Sequence, residues 1–132
     1  MRCLYCHNPD TWEIGKGEEK TAEEILTAFN KNRSFYEKGG ITVTGGEPLL
    51  QADFVRELFS LCRKEGIHTA LDTSGCLWNA QVEALLSVTD LCLLDLKMPT
   101  EALYRAQIGC GLAAPMRFLG ELNARGIPTW IR

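Results

Sequence analysis

Ile41-Thr42-Val43-Thr44-Gly45-Gly46-Glu47-Pro48 decides the fold. The first four residues, all of them β-branched, read as a short strand. The strand breaks into two glycines, an acid and a proline, and a helical pattern follows at once. The helix runs from about Ala52 to Glu65, with Phe54, Val55, Leu58, Phe59 and Cys62 on its inner face and Gly66 as its C-cap. The same unit then recurs. Ile67 to Leu71 is a strand that ends in Asp72-Thr73-Ser74-Gly75, and a short helix covers about Ala80 to Ser87. Leu91-Cys92-Leu93-Leu94 is a wholly apolar strand that ends in Asp95-Leu96-Lys97. Helices over about Thr100 to Gln107 and Ala114 to Ala124 follow; Gly126 caps the second, and Thr129-Trp130-Ile131 begins one more strand.

Upstream, Thr21-Ala22-Glu23-Glu24 is a capping box, with Thr21 as N-cap and Glu24 reaching back. The helix it opens places Ile25, Leu26, Phe29 and either Phe35 or Tyr36 on one side, and Gly39-Gly40 stops it. Residues 1–20 read as loop, because Asn8-Pro9-Asp10 and Gly15-Lys16-Gly17 are turn signals. The order is thus α/β, with apolar strands alternating with amphipathic helices. That pattern implies a parallel sheet covered by helices. At 132 residues the expectation is a single domain over 1–132, with no linker and no low-complexity segment.

Composition removes several function classes. The chain is 45% hydrophobic with a formal net charge of −3, and its acids and bases are interspersed. Nothing in that balance attracts nucleic acid or an anionic membrane. No apolar run approaches the ~20 residues needed to span a bilayer. The N-terminus has no signal-peptide pattern, so the expected location is the cytoplasm. In a reducing compartment the six cysteines read as thiols or metal ligands rather than disulfides.

Three successive strands end in polar clusters: Gly45-Gly46-Glu47, Asp72-Thr73-Ser74 and Asp95-Leu96-Lys97. In parallel α/β folds the carboxyl ends of all strands lie on one face, so these clusters should converge there. Any one of them reads most simply as an ordinary strand-end turn; three in a row read as a site. Paired glycines let backbone approach a ligand closely. Glu47 can pair with a cation or brace the loop.

Cys3-Leu4-Tyr5-Cys6-His7 admits several readings on its own. It matches the C-x-x-C-H haem pattern, half of a zinc site, or a thioredoxin-like redox pair. Each lacks its usual company: no exported helical domain, no second ligand pair, no helix opening after a strand. Cys62, His68 and Cys92 read as packed core residues, and Cys76 and Cys110 as loop residues without a role.

Taken together, C-x-x-C with an aromatic before the second cysteine and G-G-E-P after the next strand resemble the radical S-adenosylmethionine (SAM) superfamily. The fuller set is similar to its pyruvate formate-lyase activating family. That set is Arg2-Cys3-Leu4-Tyr5-Cys6-His7-Asn8, Thr11-Trp12, Gly45-Gly46-Glu47, Gln51-Ala52, Phe54-Val55-Arg56, Lys64-Glu65-Gly66-Ile67-His68-Thr69, Leu71-Asp72-Thr73, Val88-Thr89-Asp90-Leu91 and Leu94-Asp95-Leu96-Lys97. The resemblance covers essentially the whole chain. No extra cysteines lie between Cys6 and Gly45, which favours the formate-lyase type over activases with an inserted ferredoxin-like segment.

The resemblance implies a (β/α)6 partial TIM-like barrel, of which this chain supplies part. It implies that Cys3 and Cys6 are the second and third ligands of a C-x-x-x-C-x-x-C motif that holds a [4Fe-4S] cluster. The first cysteine of that motif is expected four residues before Cys3. The first strand and the C-terminal strands of the family are likewise expected outside these 132 residues, so this chain alone is expected to be inactive. Tyr5 and His7 would flank adenine. Gly45, Gly46 and Glu47 would receive the methionine amino group of SAM. Asp72 would assist them or help hold a cation, and Asp95, Leu96 and Lys97 match further SAM contacts. No side chain acts as catalytic acid or base in this chemistry. Reductive cleavage of SAM gives a 5′-deoxyadenosyl radical, which takes hydrogen from a glycine of pyruvate formate-lyase. Flavodoxin or ferredoxin would supply the electron. The other readings are activation of a different glycyl-radical enzyme, or a non-catalytic binding module without a complete cluster site.

Overall fold

The structure, a computed structural model, describes residues 4, 6, 8–13, 15, 17–36 and 39–132. Cys3, Tyr5 and His7 lie outside those residues. Helix α1 spans Ala22–Lys31 and opens on the expected capping box. Thr21 Oγ1 accepts from the Glu24 N–H at 3.2 Å, and the Glu24 carboxylate accepts from the Thr21 N–H at 2.8 Å. The helix stops at Lys31 and gives way to one 3-10 turn, Arg33–Phe35. It ends there because Asn and Ser compete for backbone hydrogen bonds, and the Asn32 amide turns back to the Ala28 carbonyl. Of the two aromatics expected on the side of Phe29, Tyr36 reaches it from beyond the helix end and Phe35 does not. Phe35 is 83% exposed, and Tyr36 stacks on Phe29 with ring centroids 5.3 Å apart.

The remaining elements are β1 (Gly40–Val43), α2 (Ala52–Lys64), β2 (His68–Thr73), α3 (Ala80–Leu86), β3 (Leu91–Leu94), α4 (Glu101–Gln107), α5 (Ala113–Ala124) and β4 (Thr129–Ile131). The four strands form one sheet in the order β1-β2-β3-β4, and every pairing is parallel. Strand order follows chain order, so each α-helical crossover moves the chain one strand along the sheet. α1 packs on α2 and α2 on α3. Leu71, Cys92 and Leu94 point into the same core as Val55, Phe59 and Leu85, all of them buried. Each such apolar side chain contributes about 1.5–3 kcal/mol of burial. The register places Leu93 between Asp72 and Trp130 on the opposite face, where Asp72 and Leu93 are half-buried and Trp130 is exposed.

β2 runs two residues beyond the expected end and takes in Asp72 and Thr73. His68, expected in the core with Cys62 and Cys92, is exposed at the first position of β2, whereas both cysteines are buried. The strand pairs from His68 onward, but its first buried position is Thr69, whose N–H and hydroxyl bond to the Asp90 carboxylate at 2.9 and 3.0 Å. His68 thus precedes the first buried register position. Cys76 and Cys110 are joined as a disulfide, contrary to the expectation that all six cysteines are thiols or metal ligands. The reason is topological: the loop after β2 and the α4–α5 connection meet above the same end of the sheet, a proximity that no local pattern encodes.

Candidate functional site at the carboxyl ends of the strands

The loop after β1 carries Gly45 at φ +80° and Gly46 at φ +46°. Left-handed backbone at both positions admits glycine with little strain. A Cβ at Gly45 would meet nothing within 4 Å, so the second use of that glycine is open space beside the strand end. Glu47 follows and caps the 3-10 turn Pro48–Gln51. Its Oε1 accepts from the Leu49 N–H at 3.1 Å and the Thr73 hydroxyl at 2.5 Å. Its Oε2 accepts from the Ser74 N–H at 3.1 Å and the Ser74 hydroxyl at 2.5 Å. A carboxylate has about four acceptor positions, and protein donors occupy four here. Glu47 therefore fastens the loop after β1 to the end of β2.

The end of β3 is organised by Tyr104 of α4, which is fully buried. Its hydroxyl donates to the Asp95 carbonyl at 3.2 Å and accepts from the Lys97 N–H at 3.4 Å. Lys97 Nζ pairs with Asp95 Oδ2 at 2.6 Å. Arg132, just past β4, bonds Asp72 Oδ1 at 2.6 Å and Asp95 Oδ1 at 3.1 Å. One guanidinium thus bridges carboxylates on two neighbouring strands, a task for which its planar fork is suited. Leu96 packs against the core, and its N–H donates to the Arg132 carbonyl at 2.8 Å.

These groups enclose a cavity of about 300 Å³. Cys6, Gly45, Gly46, Glu47, Asp72, Asp95 and Lys97 line it, so the structure brings together most of the expected site residues it describes; Leu96 is not among them. Thr73, Ser74 and Arg132 complete the strand-end wall, and Thr11, Trp12 and Leu50 form a rim. Three carboxylates face two cations, which leaves one formal negative charge among the described lining side chains.

That donor set fits SAM. Strand-end carbonyls beside Gly45 and Gly46 suit an ammonium group, Lys97 and Arg132 suit a carboxylate, and the residual negative charge suits a sulfonium. For an iron–sulfur cluster, Cys6 brings a thiol to the same cavity. Among the described residues no group of three or more His, Cys, Asp or Glu is placed to hold a metal ion.

The other cysteines are chemically distinct. Burial pushes the Cys92 thiol up to about 12, with Asp72 and Glu47 adding to the effect. Burial, then Glu65, also raises Cys62. Tyr104 and Arg132 are the site residues that local patterns pass over. The only sequence signal for either is an aromatic on the inner face of α4 and a cation directly after a strand.

The radical SAM superfamily profile matches residues 1–132. The chain is 42% identical over 136 residues to the pyruvate formate-lyase 1-activating enzyme of Escherichia coli (strain K12), a match over 100% of this chain and 55% of that protein. It is 41% identical over 134 residues to the pyruvate formate-lyase-activating enzyme of Clostridium pasteurianum, over 100% of this chain and 56% of that one. The chain thus spans about half the length of the curated relatives it matches. Among solved structures, a domain of pyruvate-formate lyase-activating enzyme from Bacteroides vulgatus superposes with a TM-score of 0.64 at 28% identity, over 71% of this chain and 58% of that one. Streptococcus suis SuiB superposes with a TM-score of 0.68 at 21% identity, over 88% of this chain and 27% of that one, a likeness of fold.

Proposed function

This chain belongs to the radical SAM superfamily, and from that premise we propose that it forms the SAM-binding part of a pyruvate formate-lyase activating enzyme. The observation that carries the proposal is the convergence of Cys6, Gly45-Gly46-Glu47, Asp72, Asp95 and Lys97 on one cavity at the carboxyl ends of three parallel strands. The identity to activating enzymes along the whole chain supports the choice within the superfamily.

In this reading the carbonyls of Gly45 and Gly46 receive the methionine ammonium group, and the Glu47 charge stands behind them. Lys97, steered by Asp95 and Tyr104, takes the ligand carboxylate or a ribose hydroxyl. Asp72 and Arg132 complete the polar wall. Tyr5 and His7 flank the adenine. Cys3 and Cys6 supply two thiolates to a [4Fe-4S] cluster. When bound, the cluster and SAM together supply a carbon-centred radical for hydrogen-atom abstraction. This chain's own residues orient the sulfonium ligand and keep water from it; none serves as acid or base. The partner is the glycyl-radical enzyme, the electron comes from flavodoxin or ferredoxin, and the setting is the cytoplasm. Among the described residues no helix is long and apolar enough to cross a membrane.

The test uses the complete protein under strict anaerobiosis with SAM, reductant and pyruvate formate-lyase. A glycyl-radical EPR signal is expected on the lyase, and its absence refutes the proposal. For the 132-residue chain, calorimetry with SAM is expected to show binding that Lys97→Met weakens.

A further inference from the structure

Cys76, in the loop after β2, and Cys110, between α4 and α5, are joined as a disulfide, and neither lines the cavity. They are 34 residues apart in sequence, with Cα atoms 6.5 Å apart. From Cys76 the contacts lead to Glu47. The Cys76 N–H donates to Ser74 Oγ at 3.4 Å, and Ser74 donates twice to the Glu47 carboxylate. From Cys110 they lead to the Asp95–Lys97 wall. The preceding residue, Gly109, donates its N–H to the Tyr104 carbonyl at 3.3 Å, and the Tyr104 hydroxyl holds Asp95 and Lys97. Gly75 presses this arrangement against the core: its φ is +65°, and a Cβ there would come within 2.8 Å of Leu94.

We propose that Cys76 and Cys110 form a reversible thiol–disulfide site that clasps the loop after β2 to the α4–α5 connection. Oxidation fixes that loop against the connection, and reduction releases the two, while β2 and β3 stay joined, with the Asp95 N–H donating to the Thr73 carbonyl at 3.0 Å. Both cysteines are half-buried and so open to reagents, as is the cavity thiol Cys6, which peptide mapping tells apart, whereas Cys62 and Cys92 are fully buried. The oxidant is a low-molecular-weight disulfide such as oxidised glutathione. One cysteine thiolate attacks it and expels a glutathione thiolate; the second cysteine then displaces the other glutathione from the mixed disulfide. The two cysteine thiols lose two electrons and two protons, and glutathione disulfide gains them as two thiols.

The test equilibrates the chain in stepped ratios of reduced to oxidised glutathione, then quenches with acid and alkylates. Peptide mass spectrometry should show the Cys76–Cys110 cross-link appearing in a single two-electron step. In parallel, amide hydrogen exchange over residues 74–77 and 97–104 should slow by about threefold or more in the oxidised chain. Cys110→Ser and Cys76→Ser should each abolish that difference. Absence of the cross-link at every ratio overturns the proposal, as does equal exchange in both states. A second measurement rests on the SAM reading: the oxidised chain should bind SAM about fivefold tighter, and SAM should favour disulfide formation by the same factor. Equal affinity of the two states overturns the coupling. Binding to neither state refutes the SAM reading instead, and the clasp is then decided by the exchange data alone.

Discussion

Replacing Glu47 by glutamine keeps the shape of the side chain and changes only its hydrogen-bonding sense, so the outcome follows from the geometry. Two donors meet each carboxylate oxygen: Leu49 N–H and Thr73 O–H at Oε1, Ser74 N–H and O–H at Oε2. Whichever way the new amide turns, its NH2 group faces one hydroxyl and one backbone N–H. The hydroxyl can rotate and accept; the N–H cannot. One charge-assisted bond, worth about 1.5–3 kcal/mol, is lost, and a backbone donor is left facing another donor. The remaining bonds fall towards neutral strength. With a discount for the partial exposure of Glu47, the expected destabilisation is about 2–4 kcal/mol. Urea unfolding of Glu47→Gln should show a lower midpoint with an unchanged slope. Combining it with Ser74→Ala should give a smaller loss than the sum of the two, because both remove one interaction. A variant within about 0.5 kcal/mol of wild type, or strict additivity with Ser74→Ala, would refute the bracing role.

Tyr104→Phe should cost about 1–3 kcal/mol, since the Lys97 N–H and the Asp95 carbonyl lose their shared partner. It should also weaken SAM binding in calorimetry, while the peripheral Leu103→Ala leaves binding unchanged. Gly75→Ala should destabilise by about 2–4 kcal/mol, the sum of left-handed strain and overpacking against Leu94 and Phe118. Gly45→Ala carries only the strain, about 1–2 kcal/mol, because nothing lies near its Cβ; thermal denaturation of the pair reads the difference. The Cys92 thiol ionises in the unfolded chain near its ordinary value of 9.0 and in the folded chain only at about 12. Stability from this group is therefore complete below pH 9 and falls as pH rises towards 12, at up to about 1.4 kcal/mol per pH unit. Denaturant titrations of wild type and Cys92→Ala across that range check the sign, and the fall should be shallower in the variant, which keeps the raised Cys62 thiol.

Strand and helix placement was legible because each unit switches from a β-branched or wholly apolar run to an amphipathic one, with Gly66 and Gly126 marking helix ends. The gathering of Gly45-Gly46-Glu47, Asp72 and Asp95-Leu96-Lys97 followed from parallel topology alone. What escaped depends on partners distant in the chain. Arg132 gains its role from a register that places it across two strands. Tyr104 reads as a core aromatic until its hydroxyl is seen against the β3 end. The Cys76–Cys110 link requires two loops to meet. The early stop of α1 turns on polar residues at 30–34 that outweigh Phe35 and Tyr36, and His68 lies one residue short of the first buried position of β2.

Arg132 reaches Asp72 across 60 residues and Asp95 across 37. During synthesis both aspartates emerge well before it. When β2 and β3 pair, their two negative charges come together with Lys97 beside them and no guanidinium between them. Only docking of β4 brings the bridge. The cationic bridge of the cavity therefore arrives only with β4, so a sheet that has failed to add that strand carries its own penalty. Completion of this part of the ligand wall and docking of β4 become a single event.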